Sequence, residues 1–288
     1  METIQLNNDI NNFDILFDLW KYIEDLSCPE IKFDFSNCVF LAHHTVAFLG
    51  GLANLILNKT GGRFEFDWDT LRSDVRLHLT QNGFISEFNG TGQPWQGNSI
   101  PYRRDLKSDH DDIIDYLKSK WLGRGWVHIS KRLCDEIVGK VWEIYANAFE
   151  HSFSENIGIY SCGQHYPRVR KLSLCVVDFG IGIPRNVRNF RSLELSAAEA
   201  MQWAFQRGTT TKQSGTGRGV GLDLLKEFVK LNNGQLTIYS NDGLANITKK
   251  GDSFSRSKFF GGTLVDITLI CDEKLYIFSD EDISGPIF

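Results

Sequence analysis

The sequence predicts an α+β protein in two units, a small α/β unit followed by a larger one. Two observations lead there. Short runs that alternate apolar and polar residues take turns with longer runs at helical spacing, which is the pattern of strands among helices. Residues 89–104, Asn-Gly-Thr-Gly-Gln-Pro-Trp and onward, are rich in glycine, proline and asparagine, which marks a linker. A chain of 288 residues also suits two domains of ordinary size. The expected division is a first unit over residues 1–88, a linker over 89–104, a second unit over 105–274 and a tail over 275–288.

In the first unit, residues 31–35 (Ile-Lys-Phe-Asp-Phe) alternate as a half-buried strand does. Residues 44–58 carry Val46, Leu49, Ala53, Leu55 and Leu57 mostly at helical spacing, and Thr60-Gly61-Gly62 ends them. Residues 63–68 alternate again. Asp69 or Thr70 is placed to cap a helix on Leu71, Val75 and Leu79, which stops at Asn82-Gly83.

In the second unit, residues 105–122 read as a helix, and Ser130 is placed to cap the next one. There Leu133, Ile137, Val141 and Tyr145 recur every four residues as an apolar stripe. Glu143, Asn147 and His151 recur at the same interval, offset by about 200° at roughly 100° per residue. One face is built for a core, and the other carries a carboxylate, an amide and an imidazole. Strands are expected over residues 156–161 and 171–178, and a helix over 196–206. A glycine-dense loop covers 208–221. A helix over 220–232 follows, ended by Asn233-Gly234 in a left-handed cap. Strands over 235–240 and 262–270 close the unit, with an Asn241-Asp242-Gly243 turn and a basic loop over 249–258 between them.

Composition excludes several classes. Apolar residues make up 42% and charged residues 23%, the balance of a chain that buries a core. A net charge of −5 leaves no global basic field for nucleic acid. Residues 1–12 are polar and lack the layout of a signal peptide. The longest nearly apolar run, residues 46–57, falls short of the roughly 18 residues that suggest a spanning helix. A cytoplasmic protein without a membrane partner is expected. The six cysteines, Cys28, Cys38, Cys134, Cys162, Cys175 and Cys271, form no C-x-x-C pair. Reduced, mostly buried thiols are therefore expected rather than zinc ligands or a disulfide framework.

Four segments carry the chemistry. They are residues 143–152 on a helix, residues 177–184 at a strand end, residues 208–222 at a helix start, and Gly261-Gly262-Thr263 opening the last strand. Five glycines fall among residues 208–221, which lets backbone N–H groups converge beside a helix N-terminus as an anion cradle suited to phosphates. Lys212 and Arg218 are either phosphate ligands or solvated loop charges. The loop is not a Walker motif, because no Gly-Lys-Ser/Thr follows the glycines, and no strand immediately precedes it as in the dinucleotide fingerprint. Asp178 ends an apolar strand, where a fixed acceptor could read an exocyclic amino group such as that of adenine. Gly180 and Gly182 let a flat ring lie close to backbone. Asn147 offers a neutral oxygen to Mg²⁺. Glu143, one turn earlier, could orient or deprotonate a water or hydroxyl.

On these residues, roughly 105–271 resembles the GHKL superfamily, the Bergerat-fold ATPases of gyrases, heat-shock chaperones, mismatch-repair proteins, histidine kinases and anti-sigma-factor kinases. The resemblance implies a two-layer α/β sandwich that binds ATP and Mg²⁺. Asn147 would hold Mg²⁺, Asp178 would bind adenine, and Gly180 and Gly182 would shape its pocket. Gly215, Gly217, Gly219 and Gly221 would line the phosphate path, with Lys212, Arg218 and Val220 in the same binding set. The lid would include Gly208, Thr209, Thr210, Thr211 and Lys212. Thr263 matches the family's Gly-Thr box, whose hydroxyl supports the adenine-binding carboxylate. Glu143 is the catalytic candidate; gyrase-like ATPases and anti-sigma kinases have a Glu there, and histidine kinases lack it. His151 is open between a functional and a structural role.

Residues 33–52 resemble the strand-turn-helix of STAS domains, the anti-sigma-antagonist fold, and the helix ending in Asn82-Gly83-Phe84 supports that. The usual phosphoacceptor serine region reads His43-His44-Thr45 here. Thr45 could substitute, although a helix N-cap is its ordinary role. His43 and His44 lack a third metal ligand at suitable spacing.

Three functions follow. The first is a regulatory ATPase that hydrolyses ATP to switch conformation or partner. The second is a protein Ser/Thr kinase of the anti-sigma type. The third is a non-hydrolysing ATP sensor. Each implies a regulatory protein partner or self-association.

Overall fold

Helix α2 (His43–Asn58) sets the architecture, because nearly all its residues from His43 to Ile56 are buried. A helix apolar on every side needs partners on every side. One is a three-stranded parallel sheet in the order β1 (Glu2–Asn7), β2 (Glu30–Asn37), β3 (Arg63–Asp67). The other is a five-stranded antiparallel sheet. Its order is β4 (Ser99–Asp105), β5 (Ile159–Tyr166), β6 (Lys171–Asp178), β8 (Gly251–Ile270), β7 (Gln235–Thr248). Helix α2 packs on β5 and β6 and touches β3, while α1 (Phe13–Glu24) packs on β8. The computed structural model describes residues 1–90, 95, 97–151 (backbone alone at His151), 157–192, 194–206 and 222–281.

One core therefore joins the two units. Phe48 lies 5.2 Å from Phe179 between ring centroids, Phe179 lies 5.5 Å from Phe260, and Phe260 stacks on Phe17 at 5.1 Å. Such pairs add about 0.5–1.5 kcal/mol each beyond area burial. Gly50 and Gly51 let α2 approach this closely: a Cβ at Gly50 would overlap Tyr102, and one at Gly51 would overlap the Phe179 ring.

The opposite face of the five-stranded sheet carries α6 (Lys131–His151), α8 (Ala197–Ala204) and α9 (Asp223–Leu231). The stripe of Leu133, Ile137, Val141 and Tyr145 is buried here as expected. Ser130 caps α6 by accepting from the Leu133 N–H at 3.2 Å. Asn233 takes φ 57° after α9, the expected left-handed cap.

Several elements differ from expectation. The end of the expected linker, residues 99–104, forms with Asp105 the strand β4, hydrogen-bonded to β5 and largely buried. Pro101 is tolerated there because β4 is an edge strand. The helix expected over residues 105–122 is shorter: α5 (His110–Tyr116), capped by Asp109 and followed by a wider turn over Leu117–Trp121. Neither Asp69 nor Thr70 caps α3 (Ser73–Gln81). Both lie in a short turn over Trp68–Thr70, where the Thr70 hydroxyl accepts from the Phe35 N–H at 2.9 Å. The supposed turn at Asn241 and the basic loop over 249–258 are arms of one long β7–β8 hairpin, paired out to Thr248 and Gly251. Strand β1 and helices α1, α4 (Phe84–Asn89) and α7 (Ile183–Arg191) fall where no element was expected.

Thr45 is not the N-cap of α2. Ala42 holds that position without a side-chain bond, and Thr45 is buried in the first turn. Asn11 supplies the missing acceptor: its Oδ1 accepts from the Ala42 N–H at 2.6 Å and the Thr45 hydroxyl at 2.9 Å. Burial, helped by neighbouring His43, brings the His44 pKa down to about 4. All six cysteines are free thiols; Cys38, Cys162 and Cys175 are buried, and Cys28 is exposed. Among the described residues no helix is long and apolar enough to cross a membrane.

Candidate functional site

The site begins with β6. Its residues Leu172–Asp178 are all buried, because helices cover one face of the sheet and α2 the other. Asp178 shares the face of Leu174 and Val176, which pack in the α6 layer. It stands at the strand end, 7% exposed, directly opposite Thr263 of β8. Gly180 N–H donates to Asp178 Oδ1 at 2.8 Å. Burial pushes the Asp178 pKa up to about 7, against the opposing pull of bonds from Gly180 and from the backbone and hydroxyl of Thr263. Gly262 is required for this approach, since a Cβ there would overlap the carbonyl oxygen of Asp178.

The glycine loop after Asp178 is held from β7. Asn241 Nδ2 donates to the carbonyl oxygens of Ile181 at 3.0 Å and Gly261 at 3.1 Å, and its Oδ1 accepts from Arg185 N–H at 3.0 Å. Ser240 Oγ accepts from Ile183 N–H at 2.8 Å, donates to the Gly262 carbonyl at 3.0 Å and lies 3.0 Å from Thr263 Oγ1. Gly182 has φ 81°, and a Cβ on it would fall 2.5 Å from Asn241 Nδ2. Neither Ser240 nor Asn241 was a sequence candidate. Asn241 sits with φ 49° between two register shifts of the hairpin, and in sequence that bulge reads as a turn.

The structure thus brings Asp178, Gly180 and Thr263 into one bonded cluster, with Gly182 packed close by against Asn241. On α6, Glu143 is half-buried, with Oε1 2.8 Å from Lys140 Nζ. Asn147 follows one turn later on the same helix, half-buried, and among the described residues its amide has no hydrogen-bond partner. Its oxygen fits the donor type that Mg²⁺ prefers. A buried acceptor beside close-lying glycine backbone likewise fits the amino edge of a flat base. Lys212, Gly215, Gly217, Arg218, Gly219, Val220 and Gly221 lie outside the described residues, as do Gly208, Thr209, Thr210, Thr211 and the side chain of His151.

Residues 135–269, just under half of the chain, match the family model of histidine kinase-, DNA gyrase B-, and HSP90-like ATPases. The match supports the GHKL superfamily for this stretch and a GHKL-type ATP-binding regulatory function. GHKL ATPase domains bind ATP, usually with Mg²⁺. Comparison with curated proteins yields no match.

Proposed function

We propose that the protein binds ATP and Mg²⁺ and hydrolyses ATP to water in order to switch conformation or partner. Asp178, fixed at the end of β6 by Gly180 and Thr263, carries the reading. Its carboxylate would accept from the adenine amino group, and Asn147 would give an oxygen to Mg²⁺. Bound Mg²⁺ would offset phosphate charge. Glu143, one turn before Asn147 on α6, would orient or deprotonate the attacking water. Lys212, Arg218, Val220 and the glycines from Gly215 to Gly221 complete the phosphate cradle in this reading. Six free thiols suit the reducing cytoplasm.

The same site would serve a protein Ser/Thr kinase of the anti-sigma type, a reading favoured by the STAS-like pattern of the N-terminal unit. Thr45 is fully buried, so the acceptor would lie on a partner.

One assay set tests both. In a calorimetric titration with MgATP, Asp178→Ala should abolish binding; unchanged binding overturns the site. With γ-labelled ATP, phosphate release that depends on Glu143 supports hydrolysis, and label on a partner Ser or Thr supports the kinase. Saturable binding with neither leaves a sensor.

A further inference from the structure

A second cluster lies away from the nucleotide site, where the start of α2 meets β8. One nitrogen of His43, one nitrogen of His44 and a carboxylate oxygen of Asp266 lie within 4.8 Å of one another. We propose that these three residues form a site for a divalent transition cation, with Zn²⁺ the best fit, that clamps the N-terminal unit to the five-stranded sheet.

The donor set is the first argument. Two imidazoles and a carboxylate suit Zn²⁺, which takes nitrogen at about 2.0–2.1 Å and oxygen at about 2.0–2.2 Å. Mg²⁺ and Ca²⁺ favour oxygen alone. A water would complete a tetrahedron.

The hydrogen bonds behind the ligands are the second argument. His44 Nε2 lies 2.9 Å from the carbonyl oxygen of Asn11. A carbonyl only accepts, so the ring proton is on Nε2 and Nδ1 carries a lone pair. Nδ1 is buried and has no hydrogen-bond partner. A cation would satisfy it. His43 is held the same way, with Nδ1 3.0 Å from Tyr166 Oη and Nε2 2.7 Å from Asp266 Oδ1. With the metal on Nε2, the ring proton sits on Nδ1 and is donated to Tyr166 Oη. Each imidazole would then present one nitrogen to the ion and anchor the other on an outer partner, as metal-binding histidines do. To share a tetrahedral ion, the His43–Asp266 pair would open from 2.7 Å to about 3.3 Å, and the wider separations, at most 4.8 Å, would close to about the same value by side-chain adjustment.

The site is independent of the nucleotide reading. Asp266 shares a face of β8 with Leu264, which packs in the N-terminal core, whereas Val265 and Ile267 pack in the α6 layer. His43 and Asp266 are 223 positions apart, so a bound ion would close most of the chain into one loop.

The test uses the full chain, stripped with a chelator and titrated with Zn²⁺ against a chromophoric competitor, then with Co²⁺ for its visible spectrum. One ion per chain and a tetrahedral Co²⁺ spectrum without thiolate charge transfer are expected. His44→Gln and Asp266→Asn should each weaken binding by about 100-fold or more. Tyr166→Phe, which touches only an outer partner, should weaken it by about 10–100-fold. Zn²⁺ should raise the melting temperature of the wild type and not of His44→Gln. No stoichiometric site in the wild type, a thiolate band, or variants that keep wild-type affinity would overturn the proposal. The wild-type titration and spectrum decide even where a variant does not fold.

Discussion

Asn241 donates from Nδ2 to the carbonyl oxygen of Ile181 at 3.0 Å, so the loop that follows Asp178 takes its shape from β7. With its bonds to Gly261 and Arg185, Asn241 joins three segments at a left-handed backbone position. Asn241→Ala loses these bonds and strains the backbone, and should cost about 2–4 kcal/mol in denaturant unfolding. Asn241→Gly keeps the φ and loses only the bonds, so it should cost less. Equal costs would mean that the bonds carry everything.

Asp178 gives a pH signature. Its pKa rises from 3.8 unfolded to about 7 folded. Between those values the folded state holds a proton that the unfolded state has released. Its contribution therefore favours folding at low pH, declines as pH rises from about 4 to about 7, and is flat above. Asp178→Asn should remove that slope from the stability profile. Nucleotide affinity should run the other way, because a protonated Asp178 cannot accept from an amino group through that oxygen. Below about pH 7 affinity should fall by up to about tenfold per unit. Calorimetric titrations at pH 5.5, 6.5 and 7.5, chosen as roughly unit steps across the window, check this.

Glu143 should act on turnover and not on binding. Glu143→Gln is expected to lower phosphate release by about 10²–10⁴-fold while the Kd for MgATP stays near wild type. A parallel loss of binding would reassign Glu143 to the nucleotide site itself.

The glycine pair of α2 offers a test from outside the site. Gly51→Ala drives a methyl into the Phe179 ring and should destabilise by about 1–3 kcal/mol. Phe179 directly follows Asp178, so MgATP affinity should fall as well. Gly50→Ala meets Tyr102 instead and should destabilise with a smaller effect on nucleotide. Melting curves and titrations on both variants separate the two.

A fragment beginning at residue 105 should fail as an isolated domain. It lacks nearly all of β4 and uncovers Tyr160, Val177, Phe179 and Phe260. Dye binding to exposed apolar surface and loss of a cooperative melt are the expected readouts.

What was legible in the sequence was what depended on neighbours in the chain. The bounds of β6 follow from a mostly apolar run, Leu172 to Val177 interrupted only by Ser173, and Asp178, Gly180, Gly182 and Thr263 from short motifs beside such runs. The α6 stripe needed only its period. Ser240 and Asn241 were hidden because their roles depend on the offset between β7 and β8, set by a bulge rather than by residue pattern. Strand β4 was masked by Pro101 and the glycines before it. The meeting of His43 with Asp266 depends on a packing of distant segments that no local spacing encodes. Helix α1 was legible in principle, since Leu16, Phe17, Trp20 and Ile23 carry the helical period.

The contact between Gly51 and Phe179 also gives the two halves of the molecule a shared surface through which they could be thermodynamically linked. If nucleotide shifts the position of Phe179, it alters the surface on which α2 rests. Any partner that reads the N-terminal unit then senses the nucleotide. Linkage is reciprocal: the factor by which ATP changes affinity for such a partner is the factor by which the partner changes affinity for ATP. An aromatic ring against a residue with no side chain would be the gear between them.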